Sequence, residues 1–253
     1  RPNDKSLRPF FGLRSGTPRP VPTLGSLWVR QSASRSMYRG LTVSAQYRTP
    51  RLQFGAFYTA SQTYSYEDNE RDATGVRYEN SFNLRPEYSY SDLDMRHQFT
   101  GYAVASLMWG IEVSSTFRAT SGRPIDPRTG ADTNQDLGGP DRAYKAPGVP
   151  FPRNSFRNRG YRNVDFRFLK HFPVGERARL QFSCEMFNLF NFDNVVYAGT
   201  NLIYGLGIDP ATGNPVPPPP TFMRLRLPDG SYDPVNVQIG NPFQAQFGLR
   251  FIF

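Results

Sequence analysis

The stretch from Phe243 to Phe253 reads Phe-Gln-Ala-Gln-Phe-Gly-Leu-Arg-Phe-Ile-Phe. Side chains of a strand alternate between its two faces, so Phe243, Ala245, Phe247, Leu249, Phe251 and Phe253 share one side and Gln244, Gln246, Gly248 and Arg250 the other. A sheet in a soluble protein alternates too, but rarely with a face this aromatic and no trailing polar residues. In lipid, a tilted strand of about 9–11 residues crosses the apolar layer with apolar side chains outward and polar ones toward a wet lumen. The stretch predicts the closing strand of a transmembrane β-barrel.

Six further segments carry the same alternation. Leu41, Val43, Ala45 and Tyr47 alternate with Thr42, Ser44, Gln46 and Arg48; beyond a turn at Thr49-Pro50, Leu52, Phe54, Ala56, Tyr58 and Ala60 form the next apolar set. Phe99 to Leu107 and Ile111 to Ala119 flank a tight turn at 108–110, and Val164 to Phe168 and Ala178 to Met186 flank a turn at 173–176. Between these pairs lie long polar segments at about 62–94, 121–160 and 191–242, the last carrying the proline run Pro217 to Pro220, which cannot join a ladder. Structureless loops of that length count against a compact soluble domain. In an outer-membrane barrel, short periplasmic turns and long extracellular loops are what up-and-down pairing produces. The expectation is therefore an all-β, antiparallel, up-and-down transmembrane β-barrel in the cell outer membrane. A secreted all-β sandwich, adhesin or binding domain explains the alternation but not the loop asymmetry.

The totals agree once read by face. No run of 18 apolar residues exists, so a helical span is excluded. Hydrophobic residues make up 38% and mean hydropathy is −0.55, which suits a barrel because only alternate residues meet lipid. Tyr47, Trp109, Phe172, Phe251 and Phe253 near the short turns, and Tyr64, Tyr66, Phe117, Tyr161, Phe187 and Phe190 near the long loops, suggest two aromatic girdles. The formal charge of +9 raises nucleic-acid binding. However, the basic residues, nearly all Arg, are scattered and form no binding motif; pairing with lumenal carboxylates or lipid phosphates accounts for them. Cys184 is a lone cysteine among apolar alternate positions. Seven strands are legible, with an eighth candidate near Leu27, Trp28 and Val29. The chain has neither an initiator Met nor a signal peptide, and it reads as the C-terminal portion of a larger barrel of which it supplies about 7–8 strands. Residues 1–35 form an irregular segment or loop hairpin and residues 36–253 the barrel part.

Candidate chemistry is sparse. Asp132, Asn134, Asp136 and Asp141 space oxygen ligands in a Gly-rich loop, a Ca²⁺-like arrangement, although Leu137 and Ala143 stand where an EF-hand would have Gly and an acid; the alternative is an Asx-turn loop held by its own side chains. Asp92, Asp94 and His97 form an Asp/His group of the kind an outer-membrane protease uses to activate water, yet His97 shares its parity with Phe99 and points away from the lumen. Glu112, Arg118, Asp165, Arg167, Arg179, Glu185 and Arg250 all take the lumenal parity, where pairing across strands would hold the wall. The acidic 67–94 segment suits a cation, a surface partner or plain solvation. No catalytic set emerges, and the chain is read as a non-enzyme with no required cofactor.

Several stretches together resemble the C-terminal barrel of TonB-dependent outer-membrane transporters, most of all the Oar-like branch. They are Asp94 to Phe99, Ser121-Gly122-Arg123-Pro124, Gly130 to Asp136, Asp141-Arg142, Arg153-Asn154-Ser155-Phe156 and Glu185 to Asn191. The final Gln246-x-Gly248-x-x-Phe251-x-Phe253 is similar to the terminal signal read by the outer-membrane assembly machinery. The resemblance implies a barrel of about 22 strands with a plugged lumen and energy-coupled uptake or translocation of an unknown substrate. Its implied partners are the assembly machinery, outer-membrane lipid and lipopolysaccharide, and an energy-transducing periplasmic protein engaged through upstream segments.

Overall fold

The computed structural model describes residues 21, 23, 32–68, 78–79, 83–133 and 141–253. Seven long antiparallel strands form a single meander: β1 (Ser36–Arg48), β2 (Leu52–Ser65), β3 (His97–Ser106), β4 (Ile111–Thr120), β5 (Tyr161–Val174), β6 (Ala178–Phe187) and β7 (Gln244–Ile252). Each hydrogen-bonds to its neighbours in sequence order, so no connection crosses the sheet. Most of the expected irregular segment at 1–35, including the candidate strand around Trp28, lies outside the described residues.

The alternation drives the register. Leu41 stands opposite Ala60, Tyr58 opposite Phe99, Phe117 opposite Val164, Phe168 opposite Cys184, and Cys184 opposite Phe247. The apolar set of every strand thus shares one face, and Thr42, Thr59, Gln98, Arg118, Asp165, Glu185 and Gln246 share the other. Because the side-chain period is two, a one-residue slip at any pairing would move a whole polar row to the apolar side. No second sheet packs on the apolar face among the described residues. Val43, Tyr58, Phe247 and Leu249 are accordingly exposed, Leu249 at 73%. A soluble sandwich would have buried this face; a barrel turns it to lipid.

Connections alternate as expected. At one end, residues 49–51, 107–110 and 175–177 link adjacent strands. At the other lie loop 1 (66–96), loop 2 (121–160) and loop 3 (188–243). The first short turn is closed by Thr49, whose hydroxyl donates to Leu52 O and accepts from Leu52 N–H. The third turn is tighter than the sequence suggests, because Pro173 and Val174 still pair with Arg179 and Ala178. Pairing of β5 with β4 ends at Lys170, so Pro173 sits at a local edge, where a missing N–H is tolerated.

Phe57, Tyr102 and Leu169 are among the aromatic or apolar residues on the polar face. Tyr102 lies beside Phe57, ring centroids 6.5 Å apart, and a Cβ at Gly55 would come within 2.5 Å of the Tyr102 ring; only glycine leaves that space. Leu169, between Glu112 and Ser183 on neighbouring strands, is the one buried hydrophobic residue within a spanning strand among those described. The other buried hydrophobic residues, Ile125, Ala143, Tyr144, Val195, Ile208 and Val237, all belong to loops 2 and 3. Among the described residues the hydrophobic core lies mainly in the loop layer.

Phe182→Arg or Phe247→Arg is expected to block insertion, at about 2–4 kcal/mol for a cation at mid-membrane. Gln246→Lys, which faces Glu185 across the β6–β7 ladder, is expected to be tolerated. Heat-modifiable migration of outer-membrane fractions reads the difference, and equal yields of all three variants would contradict the assigned faces.

Candidate functional site at the outer loop layer

The polar face is a wall of mutually satisfied groups. Arg167 Nε lies 2.9 Å from Glu185 Oε1 across β5 and β6, and Gln246 donates to the other Glu185 oxygen from β7. Asp165 accepts from Thr116 at 3.3 Å and from Asn163 at 2.7 Å. Cross-strand pairing is what the lumenal parity of these charges predicts. The ion pair is half-open to solvent, so it contributes register more than stability.

Above the wall, the loops are fastened to the strand ends by residues from the sequence stretches singled out above. Asp94, fully buried, accepts from Thr63 N–H at 2.7 Å and from the Arg157 guanidinium. Arg153 bonds Asp68 at 2.8 Å and the Ser65 carbonyl and hydroxyl at 2.6 and 2.7 Å, tying loop 2 to the top of β2. Asn154 donates to Tyr90 O and Asp92 Oδ1. Asn188 donates its backbone N–H to Asp165, and its side chain spans Phe192 and Asn241; Asn191 accepts from the Phe243 N–H just ahead of β7. Gly122, at the start of loop 2, passes so close to the end of the same loop that a Cβ would meet Asn158 O at 1.8 Å, which only glycine permits.

At the centre sits Arg142, 4% exposed. Its guanidinium lies 2.5 Å from Glu87 Oε1 and 3.6 Å from Glu79 Oε1, and its backbone N–H donates to the same Glu79 oxygen at 2.6 Å. Burial pushes the Glu79 carboxyl up to about 8 despite the neighbouring guanidinium, and burial likewise raises Asp126. Burial also acts upward on Asp68, but hydrogen bonds from Ser91, Asp92 N–H and Ser65 prevail and hold it below the usual carboxylate range. Loop 3 joins this layer through Tyr144 N–H to Leu206 O and Tyr204 N–H to Arg128 O. The rings of Phe151, Phe156, Tyr204 and Phe222 cluster at centroid distances of 5.0–5.9 Å. The acidic loop 1 is therefore not merely solvated: its Asp68, Glu79, Glu87 and Asp94 meet arginines of loop 2.

The two candidate chemistries take different forms in the fold. Of the calcium-like set, Asn134 and Asp136 lie outside the described residues. Asp141 is buried and its Oδ2 accepts from Thr133 N–H at 2.6 Å and Thr133 Oγ1 at 2.5 Å; it braces its own loop beside Asp132. No cluster of three metal-ligating His, Cys, Asp or Glu side chains occurs among the described residues. Asp92, Asp94 and His97 do not converge. The two carboxylates hold loop contacts, whereas His97 turns to the apolar face and hydrogen-bonds Tyr58 OH through Nδ1 at 2.7 Å. Of the terminal set, Gln246 and Gly248 face the wall, Gly248 opposite Ser183, and Phe251 and Phe253 stand exposed on the apolar side with centroids 5.9 Å apart. Two expected girdle residues, Tyr161 and Phe187, take the lumenal parity instead; Tyr161 lies under the Arg118 guanidinium. Arg157, Asp68, Glu87 and Glu79 were not singled out by sequence, where the only hint was an acidic loop followed by an Arg-rich one.

Removing Arg142 leaves Glu87 buried without its cation, at about 3–5 kcal/mol. Arg142→Ala is expected to make loops 1 and 2 at least tenfold more sensitive to protease from outside while the strands stay protected; unchanged cleavage would contradict the loop-fastening role. Glu79 binds its proton more tightly folded than unfolded, because its ordinary value is 4.5. Its contribution to loop packing is full below about 4.5 and is lost as pH rises through about 8. Loop cleavage should accelerate between pH 6 and pH 9, and Glu79→Gln should flatten that dependence.

Comparison with known proteins agrees with this geometry. No curated protein and no solved structure matches the chain. A family model described as an outer membrane beta barrel domain matches residues 5–213 of the 253, a span that takes in β1 to β6 with loops 1 and 2. An apolar outer face, a polar inner face, short turns at one end and fastened loops at the other are the features such a barrel requires, and the chain belongs to the outer membrane beta barrel domain family, with the outer membrane as its location.

Proposed function

We propose that these strands are the C-terminal part of a TonB-dependent transporter barrel of the Oar-like branch. In this reading the barrel takes up or translocates a still unidentified substrate using energy delivered from the periplasmic side, and it performs no catalysis of its own. The observation that carries the reading is the use made of the resembling stretches. Asp94, Gly122, Arg142, Arg153, Asn154 and Asn188 all serve to fasten long outer loops over a polar wall. That arrangement suits a wide barrel whose mouth is shaped by ordered loops.

Closure supports a larger barrel. β1 and β7 each lack a neighbour on one side among the described residues, and an open edge in hydrocarbon leaves amides and carbonyls unpaired. With seven strands in strict alternation, β1 and β7 run in the same direction. Joining them directly would make a parallel seam, so an all-antiparallel barrel needs an odd number of further strands, at least one. Of the terminal set, Gln246, Gly248 and Phe251 lie on the β7 edge strand and Phe253 directly follows it, where an assembly machine would meet them before closure.

The complete reading frame, purified from outer membranes and placed in a planar bilayer, is expected to conduct almost no ions, and to conduct steadily once the segment upstream of the barrel is deleted. The intact protein should also retain the periplasmic domain of the energy-transducing partner on an affinity column. Steady conductance by the intact protein together with no retention would replace this reading with a passive porin-like channel.

A further inference from the structure

A cleft of about 390 Å³ opens at the outer end of β5, where Arg159, Arg162 and Arg226 meet Asp193 and Tyr232. We propose that it binds the phosphate-bearing headgroup of a glycolipid from the outer leaflet. This goes beyond transport and rests on the outer-membrane barrel itself.

Position comes first. Arg162 stands opposite Ala119, and so belongs to the apolar row that continues down β5 through Val164, Phe166 and Phe168. A guanidinium on that row can lie only at the level where hydrocarbon gives way to headgroups. Its neighbours are suited to that depth: the guanidinium carbon sits 5.0 Å over the Phe192 ring, and Phe190, in ring contact with Phe192, is 63% exposed. A lipid whose phosphate occupied the cleft would lay its acyl chains along the apolar row directly below.

Charge is the second point. Three guanidinium groups share the cleft with one carboxylate. Among the described residues neither Arg159 nor Arg162 has a carboxylate partner, while Asp193 accepts the Tyr232 hydroxyl and Arg226 is fixed by Gly230 O at 2.7 Å and Tyr232 OH at 2.9 Å. Arg226 is thereby anchored and the other two are left to serve an anion. Guanidinium donors match phosphate oxygens in pairs. The floor is rigid as well: Asn194 accepts the Arg162 N–H at 2.9 Å and donates to the Arg162 carbonyl at 2.8 Å, pinning the strand to loop 3. A free anion would use the same arginines but would gain nothing from the aromatic rim and the apolar row, which is why the lipid is the favoured occupant.

The test uses the detergent-purified outer-membrane protein, delipidated and then offered diphosphorylated lipid A, dephosphorylated lipid A or inorganic phosphate, with retained ligand counted by native mass spectrometry. Diphosphorylated lipid A should be retained by the unaltered protein. Retention should fall at least tenfold in the Arg159→Gln/Arg162→Gln/Arg226→Gln variant and at least threefold in Arg159→Gln, whose exposed side chain is not needed for folding. Arg177→Gln, at a short turn on the opposite end, should change nothing. Equal retention by the triple variant, or equal retention of the dephosphorylated lipid, would overturn the proposal. Displacement of the lipid by millimolar inorganic phosphate would overturn it in favour of a free-anion site.

Discussion

The structure depends on one constraint: inside hydrocarbon every backbone amide and carbonyl must find a partner in the protein. Strand-to-strand ladders meet it here from β1 to β7 without a break, and once the ladders exist the register follows from the side chains. In the register observed, Arg167, Glu185 and Asp165 face water; shifted by one residue, they would face lipid at several kcal/mol each. The long loops and the turn chemistry are consequences. Turns at the short end need only reverse direction, so Thr49 and Gly175 suffice. Loops at the other end must seal and shape a mouth.

That division explains why the buried residues lie where they do. A strand of a wide barrel has lipid on one side and an aqueous bore on the other, so its side chains cannot pack against one another across the middle, and Leu169 is the one hydrophobic residue buried on the described strands. Loops 1, 2 and 3 escape this geometry because they fold on each other. They bury Ile125, Val195 and Ile208, but also Asp94, Glu87 and Arg142. Buried ion pairs often contribute little net stability beside an apolar replacement, and their best-attested use is to specify one arrangement over others. Arg142 between Glu79 and Glu87, and Arg153 at Ser65 and Asp68, meet that description: the first selects how loop 2 lies on loop 1, and the second which strand end loop 2 lies against.

What was legible in the sequence follows from the same physics. Period-two alternation is a local signal, so strands, apolar face and loop asymmetry were readable from residues such as Phe243 to Phe253. Parity alone puts Phe57 and Tyr102 on the wet face, but the reason Tyr102 fits there is not local: it is the missing Cβ at Gly55 on the neighbouring strand. The loop layer was legible only in part. Asp94 and Arg157 are separated by 63 positions, and Arg142 and Glu87 by 55, and no local pattern encodes such partners. Asp92, Asp94 and His97 illustrate the hazard. Proximity in sequence suggested one cluster, but the strand end sends His97 to the lipid side and the carboxylates into the loops.

The basic residues on β5 fix the depth of the sheet. Its apolar row begins with Arg162 and reaches Lys170 eight residues later, with Val164, Phe166 and Phe168 between. At a rise of about 3.3 Å per residue that interval spans roughly 26 Å along the strand, or about 20 Å along the membrane normal at a tilt near 40°. Lys170 turns to the Trp109 carbonyl at the short turn, and Arg162 leans on Phe192 at the loop end. Each long side chain reaches a few ångströms beyond its own Cα, which widens the uncharged interval toward the roughly 25 Å apolar band of such barrels. Two cations on the lipid-facing row, which a soluble reading would treat as scattered surface charge, thus mark the upper and lower boundaries of the hydrocarbon.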